Sequence, residues 1–245
     1  MIEIITKNQQ AQGQFNGGDI LENKPIGFLQ DGGKIQPYSN IFYWAYAQAN
    51  KESTIGLHPH KGFEIITFVL KGSIRHYDTL LTKWIDLEEG DIQVIKSGSG
   101  VSHSEALNKD AAIFQIWFDP NLDQSLYKKA EYQDYKKEEF NFEGKTKKLI
   151  GNNAKIKIDS EGVEVYELHL NNEEYKIPNK ENEIYSLYIL EGEIKINKKK
   201  TSKDDFIIIS ENEEILITAK KATKIFCIKS NRNLSYPTYF AKYLK

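Results

Sequence analysis

HPHKGFEIITFVLKGSIRHYDTLLTKWIDLEEGDIQVIKSGSGVSHSE, residues 58–105, is bracketed by two short polar pairs: His58 and His60 in front, His103 and Glu105 behind. Each pair is spaced i, i+2. On a strand alternate side chains leave the same face, so each pair can aim two ligating groups at one point. On a helix that spacing would send them to nearly opposite sides. The residues between the pairs are β-branched and aromatic runs cut by glycine: Ile65 to Leu70 ends at Gly72, and Ile92 to Ile95 lies between Gly90 and Gly98. Three imidazoles and one carboxylate converging inside β-structure predict a metal site. Such donors suit a first-row divalent ion, from Mn, Fe, Co, Ni and Cu to Zn. Four protein ligands leave two positions of an octahedral ion open, which marks a catalytic site more than a structural one.

The same residues resemble a known pattern. Members of the cupin superfamily carry His-x-His, a glutamate a few residues on, a glycine-ended strand, then Gly-Asp and a further His. Here these are His58, His60, Glu64, Gly72, Gly90–Asp91 and His103. Within cupins, HPHKGFE, the GD-x-Q of Gly90–Gln93, and the G-x-G-x-x-H-S-E of Gly98–Glu105 are similar to the pirin family, which includes pirin-like quercetin dioxygenases. The resemblance covers the first half of the chain closely and the second by overall layout. It implies an all-β fold of two tandem cupin-type β-sandwich (jelly-roll) domains with few short helices. It also implies one divalent metal, Fe(II) first among the candidates, on His58, His60, His103 and Glu105. In a typical cupin the glutamate matching Glu64 is the ligand; the pirin pattern shifts that role to Glu105. Glu64 and Gln93 are then expected behind the ligands, supporting them.

A histidine standing alone is more often hydrogen-bonded or at the surface than a ligand. His76, in the RHYD segment, is expected to be packed or hydrogen-bonded, and His169 has no partner at ligand spacing and is expected to be structural.

The 245 residues can hold one large β domain or two of about 100–120 residues. With 40% hydrophobic and 28% charged residues and a net charge of −2, the chain has no basic stripe for nucleic acid. The lysines of NKKK (197–200) alternate with nearby glutamates and are expected in solvated turns. Methionine occurs at position 1 alone, so the start is expected to be native. No stretch approaches the ~18 apolar residues of a spanning helix. One cysteine, Cys227, permits no internal disulfide. These features predict a cytoplasmic protein, and a monomer is expected of a two-unit chain that covers its own sheets.

Residues 1–57 are a turn-rich lead-in ending in an aromatic strand, with Phe42, Trp44 and Tyr46 at alternating positions. Core packing is the more ordinary role for each of these rings, and a pocket wall the alternative. AAIFQIWFDP closes the first sheet at Pro120, and a polar connection follows. The expected division is a metal-binding cupin over residues 1–130 and a second, degenerate cupin over 145–245. YSLYILEGEIKIN (185–197) resembles FEIITFVLKGSIRHY with Gly192 at the place of Gly72, and DDFIIIS (204–210) resembles GDIQVIK. On that register Pro178 and Lys180 replace His58 and His60, while Ile217 and Ala219 replace His103 and Glu105. The second unit keeps the framework without the ligands. The last residues are expected to pack back across the body as a tail or short helix.

The resemblance implies a reaction: ring cleavage of a flavonol by O2 with loss of CO, with Glu105 both ligating and accepting the flavonol hydroxyl proton. Partners would be a small flavonol-like aromatic and O2, with neither nucleic acid nor membrane. The alternative is a non-enzymatic, metal- or redox-sensing regulator that binds a transcription or metabolic partner. A third reading is a metal-storing or vestigial cupin without turnover.

Overall fold

The computed structural model of the chain describes residues 1–178, 180–197, 199–210 and 214–244. Asn179 and Lys198, which fall within two stretches singled out above, lie outside the described residues. The described chain forms two compact units. The first comprises Gln10–Glu139 with Tyr236–Lys245; the second comprises Met1–Gln9 with Phe140–Ser235. Each terminus therefore belongs to the unit at the other end of the sequence. The division expected from sequence, 1–130 and 145–245, differs at both ends for this reason. A four-residue apolar strand has no sequence mark of its partner, and only pairing assigns it.

Strand β1 (Ile2–Ile5) opens the chain. The first unit follows with β2 (Ala11–Phe15), β3 (Ile20–Ile26), β4 (Ile41–Ala49), β5 (Ser53–His60), β6 (Glu64–Lys71) and β7 (Ser73–Asp78). It continues with β8 (Trp84–Glu88), β9 (Ile92–Lys96), β10 (Val101–Leu107), β11 (Ala112–Phe118), one helical turn α1 (Leu122–Ser125) and β12 (Glu131–Tyr135). These strands build a seven-stranded sheet, β12-β9-β6-β11-β4-β3-β2, and a four-stranded sheet, β5-β10-β7-β8. The two inner faces meet in one core, where Ile74, Leu87 and Leu107 of the smaller sheet pack with Ile20, Val69 and Ile113 of the larger. Full burial of such a side chain is worth about 1.5–3 kcal/mol.

The second unit holds β13 (Phe142–Glu143), β14 (Thr146–Ile150), β15 (Glu164–Leu170), β16 (Glu173–Ile177) and β17 (Glu183–Glu191). After these come β18 (Glu193–Ile196), β19 (Lys199–Ser202), β20 (Phe206–Ile209), β21 (Ile215–Ala219) and β22 (Thr223–Asn231). Its sheets, β1-β20-β17-β22-β15-β14-β13 and β16-β21-β18-β19, repeat the order of the first unit strand for strand. In that repeat β1 takes the edge that β12 takes in the first unit. Antiparallel pairing joins all the strands of both units.

Gly72 and Gly192 turn the chain at matching points, with φ of 70° and 81°. A Cβ on Gly72 would lie 3.2 Å from the Ala111 Cα; one on Gly192 would lie 2.7 Å from the Ala222 carbonyl oxygen. Both glycines are fixed by left-handed backbone and close approach together.

Ladder pairing also corrects the register between units. Leu107 opposes Ile74 in the first unit, and Ala219 opposes Ile194 in the second. Ala219 therefore matches Leu107, Ile217 matches Glu105, and Ile215 matches the place of His103. The sequence register, carried on from β20, is two residues out because the second unit has two residues fewer between these strands. The replacements are apolar on either register.

Among the described residues, no helix is long and apolar enough to cross a membrane.

Candidate metal centre

β5 and β10 are neighbours in the four-stranded sheet, and His58 lies directly opposite His103. The i, i+2 spacing brings His60 to the same face as His58. The three rings form a near-regular triangle, with centroids 4.8 Å apart for His58–His60, 4.5 Å for His58–His103 and 4.7 Å for His60–His103. Their ligand nitrogens all lie within 4.8 Å of one another. His103 is fully buried and His60 nearly so.

The nitrogens are arranged to receive something. The His58 Nδ1 lies 2.7 Å from the Gly56 carbonyl oxygen. A carbonyl only accepts, so Nδ1 carries the proton and Nε2 is left with its lone pair. That Nε2 faces the Nε2 of His103 at 3.1 Å. The buried His60 Nε2 and His103 Nδ1 have no hydrogen-bond partner. Burial, then the neighbouring histidines, lowers both His60 and His103 to about 3. At neutral pH both are uncharged, the form in which imidazole binds a metal. Neutral imidazoles clustered this closely, each with one lone-pair nitrogen, are a donor set that fits a cation.

Glu105 also lies fully buried on β10, past a bulge between it and His103. Its Oε1 accepts from Gln93 Nε2 at 2.8 Å and from Thr67 Oγ1 at 3.1 Å, and its Oε2 accepts from Gln115 Nε2 at 2.6 Å. Gln115 is held in turn by Trp117 Nε1 at 3.0 Å. These donors come from β6, β9 and β11, so the larger sheet orients a carboxylate carried by the smaller one. Oε2 has one protein donor and keeps a lone pair for a further partner. The structure groups Glu105 with His103 and His76, within 4.8 Å of one another, and does not put all four expected ligands in one group at that spacing.

His76 is thus closer to the centre than its sequence position suggests. It is buried, donates from Nε2 to Asp78 Oδ2 at 2.7 Å, and stacks on Tyr132 at 4.6 Å. Asp78 is fixed by the backbone N–H groups of Leu80 and Leu81. Packed and hydrogen-bonded, as expected, His76 also stands beside His103 at 5.7 Å between ring centroids.

Glu64 departs from expectation. Three residues from Thr67 on an unbroken stretch of β6, it leaves the opposite face from the hydroxyl that contacts Glu105. It ion-pairs with Lys96 at 3.8 Å. The cradle residues that sequence did not single out are Thr67 and Gln115. Their signal was polarity: each interrupts an otherwise apolar strand that is buried on both faces.

An aromatic wall flanks the histidines. Trp117 meets His60 edge-on at 4.7 Å, and Phe42, Tyr43, Phe28 and Phe63 cluster around it. Of the expected aromatic strand, Phe42 joins this wall, while Trp44 and Tyr46 pack against Phe114. His169, in the second unit, lies 3.2 Å from Glu167 and against Phe142.

Residues 27–118 match the family model described as Pirin. A quercetin 2,3-dioxygenase of Escherichia coli K12 is 37% identical over 68 residues, 26% of this chain and 29% of that protein. A pirin-like protein of Caulobacter vibrioides is 45% identical over 65 residues, 26% of this chain and 28% of its own length. The aligned segment spans less than a third of these relatives. Among solved structures, the bacterial pirin YhhW from Escherichia coli in complex with nickel(II) superposes with a TM-score of 0.80 at 21% identity, covering 95% of this chain and 100% of that one. A quercetin 2,3-dioxygenase from Acinetobacter baumannii gives 0.75 at 19% identity, covering 94% and 86%. These structural likenesses establish the two-cupin fold, and the sequence match falls on the unit that carries the histidines. Residues 27–118 are thus similar to the Pirin family domain, within a chain that shares the two-cupin fold of the solved bacterial pirin.

Proposed function

We propose that the first unit binds one divalent transition metal through His58, His60, His103 and Glu105, and acts as a flavonol-cleaving dioxygenase of the pirin-like quercetinase type. The observation that carries the proposal is the triangle of three imidazoles beside a buried, triply hydrogen-bonded carboxylate. When bound, the metal supplies Lewis-acid and redox chemistry toward the enolic oxygen of the flavonol and O2. Fe(II) is the first candidate, and the same donors accept Mn, Co, Ni, Cu or Zn.

The protein's own part is positional. Gly56 fixes the His58 tautomer, and Gln93, Thr67 and Gln115 hold Glu105 in one orientation. Trp117 and its neighbours offer a flat apolar wall to an aromatic substrate and keep water from the inner side of His60. Glu105, the carboxylate of the set, is the acceptor of the flavonol hydroxyl proton.

The test is CO release from quercetin in air, with protein stripped and reloaded with Fe(II), Mn, Co, Ni or Cu, beside a His103→Ala control. Metal-dependent release that disappears in the control is expected. Release from no metal form, in protein shown to hold metal, would remove the proposed activity and move the weight to a regulatory role.

A further inference from the structure

The second unit contains a cavity of about 430 Å³. It lies where the first unit has its histidines: Ile177, which lines it, faces Ile215 across the ladder as His58 faces His103. The space is of the size that holds a small organic molecule. The chemistry of its wall is different from that of the metal centre and is internally consistent.

Tyr166, Tyr175 and Tyr185 supply aromatic surface, with Ile150, Ile177 and Pro178 between them. The Tyr185 hydroxyl donates to the Pro178 carbonyl oxygen at 2.9 Å and lies 3.3 Å from Glu183 Oε2. Burial, then the neighbouring Glu183, raises the Tyr185 phenol well above its ordinary range, so the ring stays uncharged. Three carboxylates line the space, and each is matched within it. Lys229 pairs with Glu164 at 2.6 Å and with Glu183 at 3.5 Å, and Lys148 pairs with Glu143 at 3.4 Å. The third lysine, Lys180, has its ammonium exposed at the mouth and joins no ion pair among the described residues.

We propose that this cavity is a second ligand site, and that it takes a small aromatic monoanion such as an aryl carboxylate. The ring packs on the tyrosine wall, where stacked or edge contacts contribute beyond simple burial. The carboxylate reaches the Lys180 ammonium at the rim, where solvent lowers the cost of holding charge. A dianion would meet the Glu164 and Glu183 carboxylates, and an organic cation would meet Lys180 and Lys229. The site is independent of turnover at the histidines, since none of its lining belongs to the first unit.

The test uses the full chain, stripped of metal so that no carboxylate can be held through an ion at the histidines. Benzoate and its neutral isostere benzamide are titrated by calorimetry against the parent protein and three variants. Lys180→Met removes the charge at an exposed position; Asn153→Trp blocks the rim, also from an exposed position; His58→Ala alters the first unit. Saturable benzoate binding is expected, with benzamide, Lys180→Met and Asn153→Trp each weaker by about tenfold or more and His58→Ala unchanged. Absence of saturable binding to about 10 mM would overturn the proposal. So would equal affinity for benzoate and benzamide, insensitivity to both second-unit variants, or loss of binding in His58→Ala.

Discussion

Glu105 of the first unit and Ile217 of the second stand on the same rung of the same ladder, β10 against β7 and β21 against β18. Their surroundings differ just as consistently. Thr67 and Gln93 pair across β6 and β9, and Leu187 and Ile207 pair at the matching rung of β17 and β20. Gln115 opposes Thr67, and Cys227 opposes Leu187. Where one unit has a carboxylate with three donors, the other has four side chains of a continuous apolar core. The buried carboxylate is tolerated in the first unit because three donors from the facing sheet meet it. The polar cradle and the histidines are a single unit of chemistry, and the fold stands with or without it.

The most severe way to break the comparison is to move the carboxylate alone. Ile217→Glu places an acid among Leu187, Ile207 and Cys227, none of which can replace the donors of the first unit. A loss of about 3–5 kcal/mol is expected, the usual cost of a buried charge without compensation, read as a lowered denaturant midpoint. Adding Ile207→Gln should restore about 1–3 kcal/mol of it by supplying the donor that Gln93 supplies to Glu105.

The converse change, Glu105→Gln, removes the acceptor while leaving Gln93, Thr67 and Gln115 in place. The new amide can satisfy only part of this set of donors, and Gln115 cannot rotate without giving up Trp117. Turnover of flavonol should fall by about 10²-fold while the protein remains folded. Unchanged CO release in this variant would sink the role given to Glu105.

Gln93→Ile makes one rung of the first unit like the second. The carboxylate loses a single donor and keeps two, so metal affinity should fall by about 10–100-fold. Competition with a chromogenic chelator reads this directly, and an affinity unaltered by the change would separate the cradle from the metal.

The smallest effect concerns the end of the chain. Asp119 accepts from the backbone N–H of Tyr239, and Tyr236 donates to the Asp119 carbonyl oxygen at 3.0 Å. Burial raises Asp119 from 3.8 to about 7, against the opposing effect of the Tyr239 and Phe240 backbone N–H groups. A carboxyl with a raised folded pKa binds its proton more tightly when native, so its contribution is present below about pH 4 and is lost as pH rises to about 7. Tm should decline across that window as the buried carboxyl is forced to ionise. Asp119→Asn should flatten the decline.

The convergence of His58, His60 and His103 is legible in the sequence because sharing a strand face constrains spacing locally. His58 and His60, or His103 and Glu105, need only one strand to share a face. Thr67, Gln93 and Gln115 meet on three strands, and nothing in the spacing of residues 67, 93 and 115 reveals that they converge on Glu105. Gln93 stands out in the sequence only through a family motif. Glu64 stands out on the same ground, and strand parity turns it away. The second unit was legible through its paired glycines, yet its register slipped by two residues where the connection before β21 is shorter. The edge strand β1 could not be placed from sequence, since IEII would serve any sheet equally well.

That edge strand has a consequence for how the molecule is made. Ile2 finds its partner in Ile209, and the segment that contacts Asp119 begins at Tyr236. At translation rates of about 5–20 residues per second, β1 waits roughly 10–40 s for β20 to leave the ribosome. The histidine-bearing unit is nearly all synthesised long before then, but its final segment emerges after the whole of the other unit's sheet. Neither unit can finish folding on the strength of a contiguous half, and β1 spends that interval as an unpaired apolar strand, when a holdase or a neighbouring chain has its best opportunity to bind it.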